Sequence, residues 1–124
     1  MSAARSARDE RFRSAVVDGG AIGGAAIDIA TRAVIAGYAH EGVVSGRVLD
    51  LLLGTTRPSG PLIRALGGPP PAVARELYVS GPARAVYASV LPHGEVIVLA
   101  TPSAMSVALG WALIRGLATA WSER

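Results

Sequence analysis

Residues 84–100 read RAVYASVLPHGEVIVLA, and the fold follows from them. From Arg84 to Leu91 the side chains alternate. Ala85, Tyr87 and Ser89 fall on one face, and Val86, Ala88 and Val90 on the other. A period of two is a strand. Pro92-His93-Gly94 makes a tight turn, since Pro fixes φ and Gly admits the left-handed region. Glu95 to Ala100 is then almost wholly apolar. A run that does not alternate belongs to a strand covered on both faces, hence to the middle of a sheet. The stretch therefore predicts an antiparallel hairpin whose second strand is central.

Downstream, Thr101-Pro102-Ser103 opens a last helix, with Ser103 the candidate N-cap. Val107, Trp111, Ile114, Ala118 and Trp121 share one stripe of it. Its apolar run from Ala104 to Ile114 is too short to span a bilayer, which takes about 20 residues. Arg115 interrupts it, so a buried core helix is expected. Upstream, Ala74 to Val79 reads as a strand turned by Ser80-Gly81-Pro82. Pro69-Pro70-Pro71 before it is an extended connector.

The first half repeats the theme. Residues 2–17 carry Phe12, Ala15 and Val16 among charged side chains and predict a first helix, stopped by Asp18-Gly19-Gly20. Ala25–Ile29 and Ala33–Tyr38 flank the turn Ala30-Thr31-Arg32 and predict a hairpin. Gly23-Gly24 lacks the spacing and the Lys-Ser/Thr of a phosphate loop, so close helix–strand packing is expected there. Val48, Leu49, Leu51, Leu52 and Leu53 form a helix capped by Ser45 and ended by Gly54, with Pro58 and Pro61 preventing its continuation. The order is α-β-β-α-β-β-β-α. It predicts a single α+β domain over residues 1–124, a five-stranded antiparallel sheet with helices packed on it.

Composition narrows the function. The chain has 124 residues, 51% hydrophobic and only 17% charged, which excludes a disordered chain. With no Cys, disulfides, thiolate metal sites and cysteine nucleophiles are excluded. All 12 basic residues are Arg, so no P-loop or Schiff-base lysine exists. A net charge of +3 is modest. The densest cluster, Arg5, Arg8, Arg11 and Arg13, is interrupted by Asp9 and Glu10, which reads as a solvated mixed face rather than a nucleic-acid footprint. His40-Glu41 and His93-x-Glu95 are the only His/carboxylate pairs, both in turns or loops. A zinc site needs three or four ligands, and general acid–base work needs a pocket. No catalytic residue, cofactor site or metal site is expected. The polar N-terminus has no apolar signal region, so a cytoplasmic protein without membrane insertion is expected.

These motifs, in this order, resemble the Roadblock / dynein light-chain family. The resemblance rests on Gly24-Ala25-Ala26-Ile27-Asp28 with Ala33-Val34-Ile35-Ala36, and on Glu76-Leu77-Tyr78-Val79 with Ala85-Val86-Tyr87-Ala88. It rests also on His93-Gly94-Glu95-Val96-Ile97-Val98-Leu99 and on Leu109-Gly110-Trp111-Ala112-Leu113-Ile114-Arg115. It covers roughly residues 10–121. The second helix departs from the family pattern, because Arg57-Pro58-Ser59-Gly60-Pro61 breaks it. The resemblance implies a non-enzymatic dimer, homodimeric or heterodimeric, joined through the third strand and second helix. The residues so implied are Leu49, Leu52, Leu53, Arg75, Glu76, Leu77, Tyr78 and Val79. It further implies a small Ras-like GTPase as partner, with no nucleic acid. A scaffold subunit of a larger assembly, indifferent to nucleotide, is the alternative.

Overall fold

The alternation at Arg84–Val90 sets up the sheet as expected. The computed structural model describes residues 3–39, 76–91 and 94–122. The elements are α1 (Ala3–Val17), β1 (Gly23–Asp28), β2 (Val34–Tyr38), β3 (Glu76–Ser80), β4 (Arg84–Val90), β5 (Glu95–Pro102) and α2 (Val107–Ser122). The strands form one sheet in the order β2-β1-β5-β4-β3. Every neighbouring pair is antiparallel. The apolar β5 lies in the middle, where a strand buried on both faces must lie.

The two faces are covered differently. α1 and α2 pack on one, where Phe12, Tyr87, Ile97, Leu99, Ile114 and Trp121 form the larger core cluster. Phe12 meets Trp121 edge to face, ring centroids 6.0 Å apart. Burying such side chains stabilises by roughly 1.5–3 kcal/mol each. On the other face Ala25, Ile27, Ala88, Val96 and Val98 are buried in a second cluster to which neither described helix contributes. Tyr87 in the first cluster, and Val86, Ala88 and Val90 in or against the second, reproduce the split read from the alternation. The helix read over Val48–Leu53 and its break near Pro58 and Pro61 lie outside the described residues.

Local chemistry explains the boundaries. Gly20, at φ 85°, turns the chain out of α1, and the Ala21 N–H returns to the Ala15 carbonyl at 3.2 Å. Asp28 shapes the first hairpin: its carboxylate accepts the Thr31 N–H at 3.0 Å. The first strand starts two residues earlier than expected, at Gly23, because Gly24 is where helix and sheet meet. A Cβ there would lie 2.9 Å from the Val98 carbonyl oxygen and 3.1 Å from the Phe12 ring. One expectation is overturned. Ser103 does not cap the last helix, since β5 runs on to Pro102 and the Ser103 hydroxyl donates to the Pro82 carbonyl at 3.2 Å. Ser106 is the cap, its hydroxyl oxygen accepting the Leu109 N–H at 3.2 Å.

Candidate interaction edge

An open sheet ends in two edges, and each presents backbone groups that water or a partner must satisfy. At the β2 edge, α1 supplies the partner. The Asp9 carboxylate accepts the Gly37 N–H at 3.0 Å, in a half-buried position. A charge-assisted bond of this kind is worth more than a neutral one. Asp9→Ala should cost about 1 kcal/mol, at the low end of the range because the site is partly solvated. Amide exchange checks it: Gly37 should lose protection first, and Asp9→Asn, which keeps an acceptor, should fall between.

The β3 edge has no strand beyond it among the described residues. Its orientation follows from the ladder. Gly81 donates its N–H to the Arg84 carbonyl at 2.8 Å, making these a hydrogen-bonded pair. Antiparallel pairs alternate, so Val79 with Val86 and Leu77 with Ala88 also exchange bonds. The far side of β4 agrees. Leu91 donates to Glu95 at 2.8 Å, which turns Ser89, Tyr87 and Ala85 toward β5 and leaves Ala88, Val86 and Arg84 for β3. Glu76, Tyr78 and Ser80 therefore direct N–H and C=O outward, along the open edge.

Side chains around that edge form a mixed apolar and charged surface. Tyr78 packs on Tyr87, centroids 4.9 Å apart, and lies 6.5 Å from Trp111. Trp111 in turn meets Tyr87 edge to face at 5.1 Å. Arg115 lies 5.2 Å over the Trp111 ring and reaches Glu76 Oε2 from Nε at 3.2 Å. Both partners of this ion pair are well exposed, so it orients more than it stabilises. Val79, on the other face, is 62% exposed, and Tyr78 is 40% exposed.

Of the residues expected at an interface, Glu76, Leu77, Tyr78 and Val79 stand together on this strand. Arg75, Leu49, Leu52 and Leu53 lie outside the described residues, as do His40 and His93. Glu95 accepts the Trp121 indole N–H at 2.9 Å. Arg8 stacks over the same ring at 4.5 Å, so neither it nor Asp9 belongs to a merely solvated face. Sequence reading missed Trp111 and Arg115 as part of the edge. The signal was present: an aromatic and an arginine at i,i+4 on one helix are neighbours. Among the described residues no group of three or more His, Asp or Glu is placed to hold a metal. No described helix is long and apolar enough to cross a membrane. A shallow cleft of about 370 Å³ runs between α1 and α2, lined by Arg11, Ala15, Asp18, Gly19, Gly116 and Ala120 among others.

Tyr87 is the titratable group that this packing perturbs. Burial pushes its hydroxyl above the ordinary value of 10.0, Tyr78 pushes the same way, and Thr101 pulls it down again. The Thr101 hydroxyl is itself buried and makes no hydrogen bond of full geometry. A raised phenol pKa means that the folded state keeps its proton longer than the unfolded one. The associated stability is whole below about pH 10 and is lost as pH climbs toward the folded value. Urea midpoints should therefore fall above that pH, and fall less steeply in Tyr87→Phe. Parallel curves for the two proteins would contradict the buried phenol.

In three dimensions the chain is similar to MglB of Myxococcus xanthus, with a TM-score of 0.75 at 14% identity over 99% of this chain and 90% of that one. A Roadblock/LC7 domain from Streptomyces avermitilis matches with a TM-score of 0.64 at 15% identity, over 92% of this chain and 93% of that one. A Schizosaccharomyces pombe profilin matches too, at 0.67 and 14% identity, over 92% of this chain and 95% of that one. No protein-family model matches the chain, and no curated protein matches it in sequence. The likeness is one of fold: a five-stranded antiparallel sheet with two described helices packed on it, which is the part of the expected architecture that the described residues contain. That a profilin shares it shows that the architecture alone does not choose a partner.

Proposed function

We propose that this chain is a non-enzymatic, dimeric interaction module of the cytoplasm that binds and regulates a small Ras-like GTPase. The observation that carries the reading is the asymmetry of the sheet edges. At one, the Asp9 carboxylate of α1 takes up the Gly37 N–H; the other, with no strand beyond it among the described residues, offers Glu76, Tyr78 and Ser80 beside an aromatic and charged surface. An edge left open in this way suits strand addition by a partner subunit. The likeness to MglB supports the GTPase half of the reading. The mechanism is positional. The module holds switch segments of the GTPase, whose own groups act on the nucleotide.

A scaffold subunit, indifferent to nucleotide, is the second reading, because the likeness is one of fold and a fold does not by itself choose a partner. Affinity capture separates the two. Run in parallel with a non-hydrolysable GTP analogue and with GDP, it should enrich a Ras-like GTPase in one nucleotide state. Recovery of the same non-GTPase proteins in both states would replace the regulator with the scaffold.

A further inference from the structure

We infer that the cleft between α1 and α2 seats one helix of a partner protein, a helix that presents an acidic and a basic side chain seven positions apart. The cleft shares no residue with the β3 edge, so the inference stands whether or not that edge takes a subunit.

Two helical stripes build the cleft. One wall is Arg11, Ser14, Ala15 and Asp18 of α1, and the other is Leu113, Gly116, Leu117 and Ala120 of α2. Both sets follow i, i+3, i+4, i+7, so each is one face of its helix. The helices run antiparallel. A Cβ on Gly19 would lie 2.7 Å from Leu113 Cδ2 at one end, and Phe12 meets Trp121 at the other. From Arg11 to Gly19 the trough is about 12 Å long, at roughly 1.5 Å per residue. A small-molecule site encloses most of its ligand, whereas this cleft of about 370 Å³ is open along its length. A trough between two helices, little more than two turns long, has the shape that a third helix fills.

The α2 side of the trough is apolar where a lone helix would be polar. Arg115 is the only charge in α2, and it is committed to Glu76. Ala108, Ala112 and Gly116 are exposed, and Leu109, one turn before Leu113 on the same face, is 46% exposed. A helix apolar on its outer side as well as its inner one is a helix covered on both.

Charge selects the occupant. Arg11 and Asp18 stand on the α1 wall, about 10.5 Å apart along the helix. Both are exposed, and neither has an ion pair among the described residues. The Asp18 carboxylate accepts the Ser14 hydroxyl at 3.1 Å. A helix lying along the trough returns to the same face every seven residues. An acid opposite Arg11 and a base opposite Asp18 therefore answer both charges at once. Exposed pairs add little affinity, so the apolar wall binds and the charges decide which helix fits. A second copy meets the requirement poorly, because a two-fold axis would set cleft against cleft and fill neither.

The test is selection of a displayed library of helical peptides, about 14 residues or two heptads long, on the full-length protein. Gly116→Leu supplies the block. No described atom lies within 4 Å of a Cβ there, and Leu is a good helix former, so the fold should be kept. Recovered peptides should carry an acid and a base seven positions apart, and should bind Gly116→Leu at least about tenfold more weakly. Arg11→Glu should weaken the same peptides several-fold, and replacing their acid by Lys should restore binding. Recovery of no helix, or only of helices that bind Gly116→Leu as tightly as the wild type, would overturn the cleft as a helix seat. Helices that need the cleft but ignore Arg11→Glu would overturn the charge pairing. A fall in the protein's own mass by light scattering on Gly116→Leu would make a second copy the occupant and overturn the partner helix.

Discussion

Gly110→Ala should destabilise the protein by about 1–2 kcal/mol, although the same exchange in a helix interior is ordinarily favourable by roughly 0.5–1 kcal/mol. The reversal comes from one contact. A Cβ built on Gly110 falls 2.6 Å from Tyr87 Cε1 and nearer still to the ring's hydroxyl end. Something must move, and Tyr87 has nowhere to go. It is 1% exposed and packed against both Tyr78 and Trp111, ring centroids 4.9 and 5.1 Å away. Overpacking of this kind typically costs about 1–3 kcal/mol, enough to outweigh the helix gain.

Further along α2, Gly116 is the control. Nothing lies within 4 Å of a Cβ there, and the position is exposed. Gly116→Ala should raise stability by about 0.5–1 kcal/mol. Urea denaturation of the two variants should thus move the midpoint in opposite directions. Adding Tyr87→Leu to Gly110→Ala should recover part of the loss, because the methyl then has room, and the double-mutant cycle gives the coupling. A Gly110→Ala protein as stable as the wild type would remove the close approach of α2 to β4.

That contact also shows how far the sequence could be read. Leu109-Gly110 was legible as a motif of the last helix, but not the reason for its glycine, because Tyr87 is remote in sequence and arrives through the sheet. The strands were legible because their periods are local. The alternation of Arg84–Val90 assigned both faces, and the unbroken apolar run of β5 placed it at the centre. The helix cap was misread for a local reason. Thr101-Pro102-Ser103 has the composition of a helix start, but β5 continues through it, and Ser103 is drawn to Pro82 across the neighbouring turn. Pairing with β4 outweighed a local cap.

The candidate edge was half legible. Glu76–Val79 was marked as a partner-facing strand, and among the described residues no strand lies beyond it. The tie at the opposite edge was not legible, because Asp9 reaches Gly37 across a separation of 28 residues. Nor could composition reveal that Arg115 serves the edge. As a break in an apolar run it argued only against a membrane span. In the fold it joins α2 to β3 through Glu76 and stacks on Trp111.

The edge itself makes the second large prediction, from two adjacent proline substitutions. The N–H of Ser80 points outward and that of Val79 points into the ladder with β4. Proline removes a donor and is tolerated in a sheet only where that donor faces away from the neighbouring strand. Ser80→Pro should therefore leave the protomer folded, with a denaturation midpoint close to that of the wild type. Its effect should fall on dimerisation. The lost bond counts twice by symmetry, at about 1 kcal/mol each, so the dimer should weaken roughly thirtyfold, and more where the ring obstructs the approaching strand. Val79→Pro should do the reverse of a clean separation: it removes a bond to Val86, unpairs β3 from β4 and lowers protomer stability along with association. Equilibrium sedimentation and urea denaturation of the pair give the answer. If Ser80→Pro dimerises as tightly as the wild type, the open side of β3 is not where two chains meet. The joint would then have to be sought away from the one edge whose hydrogen bonds no described element takes up.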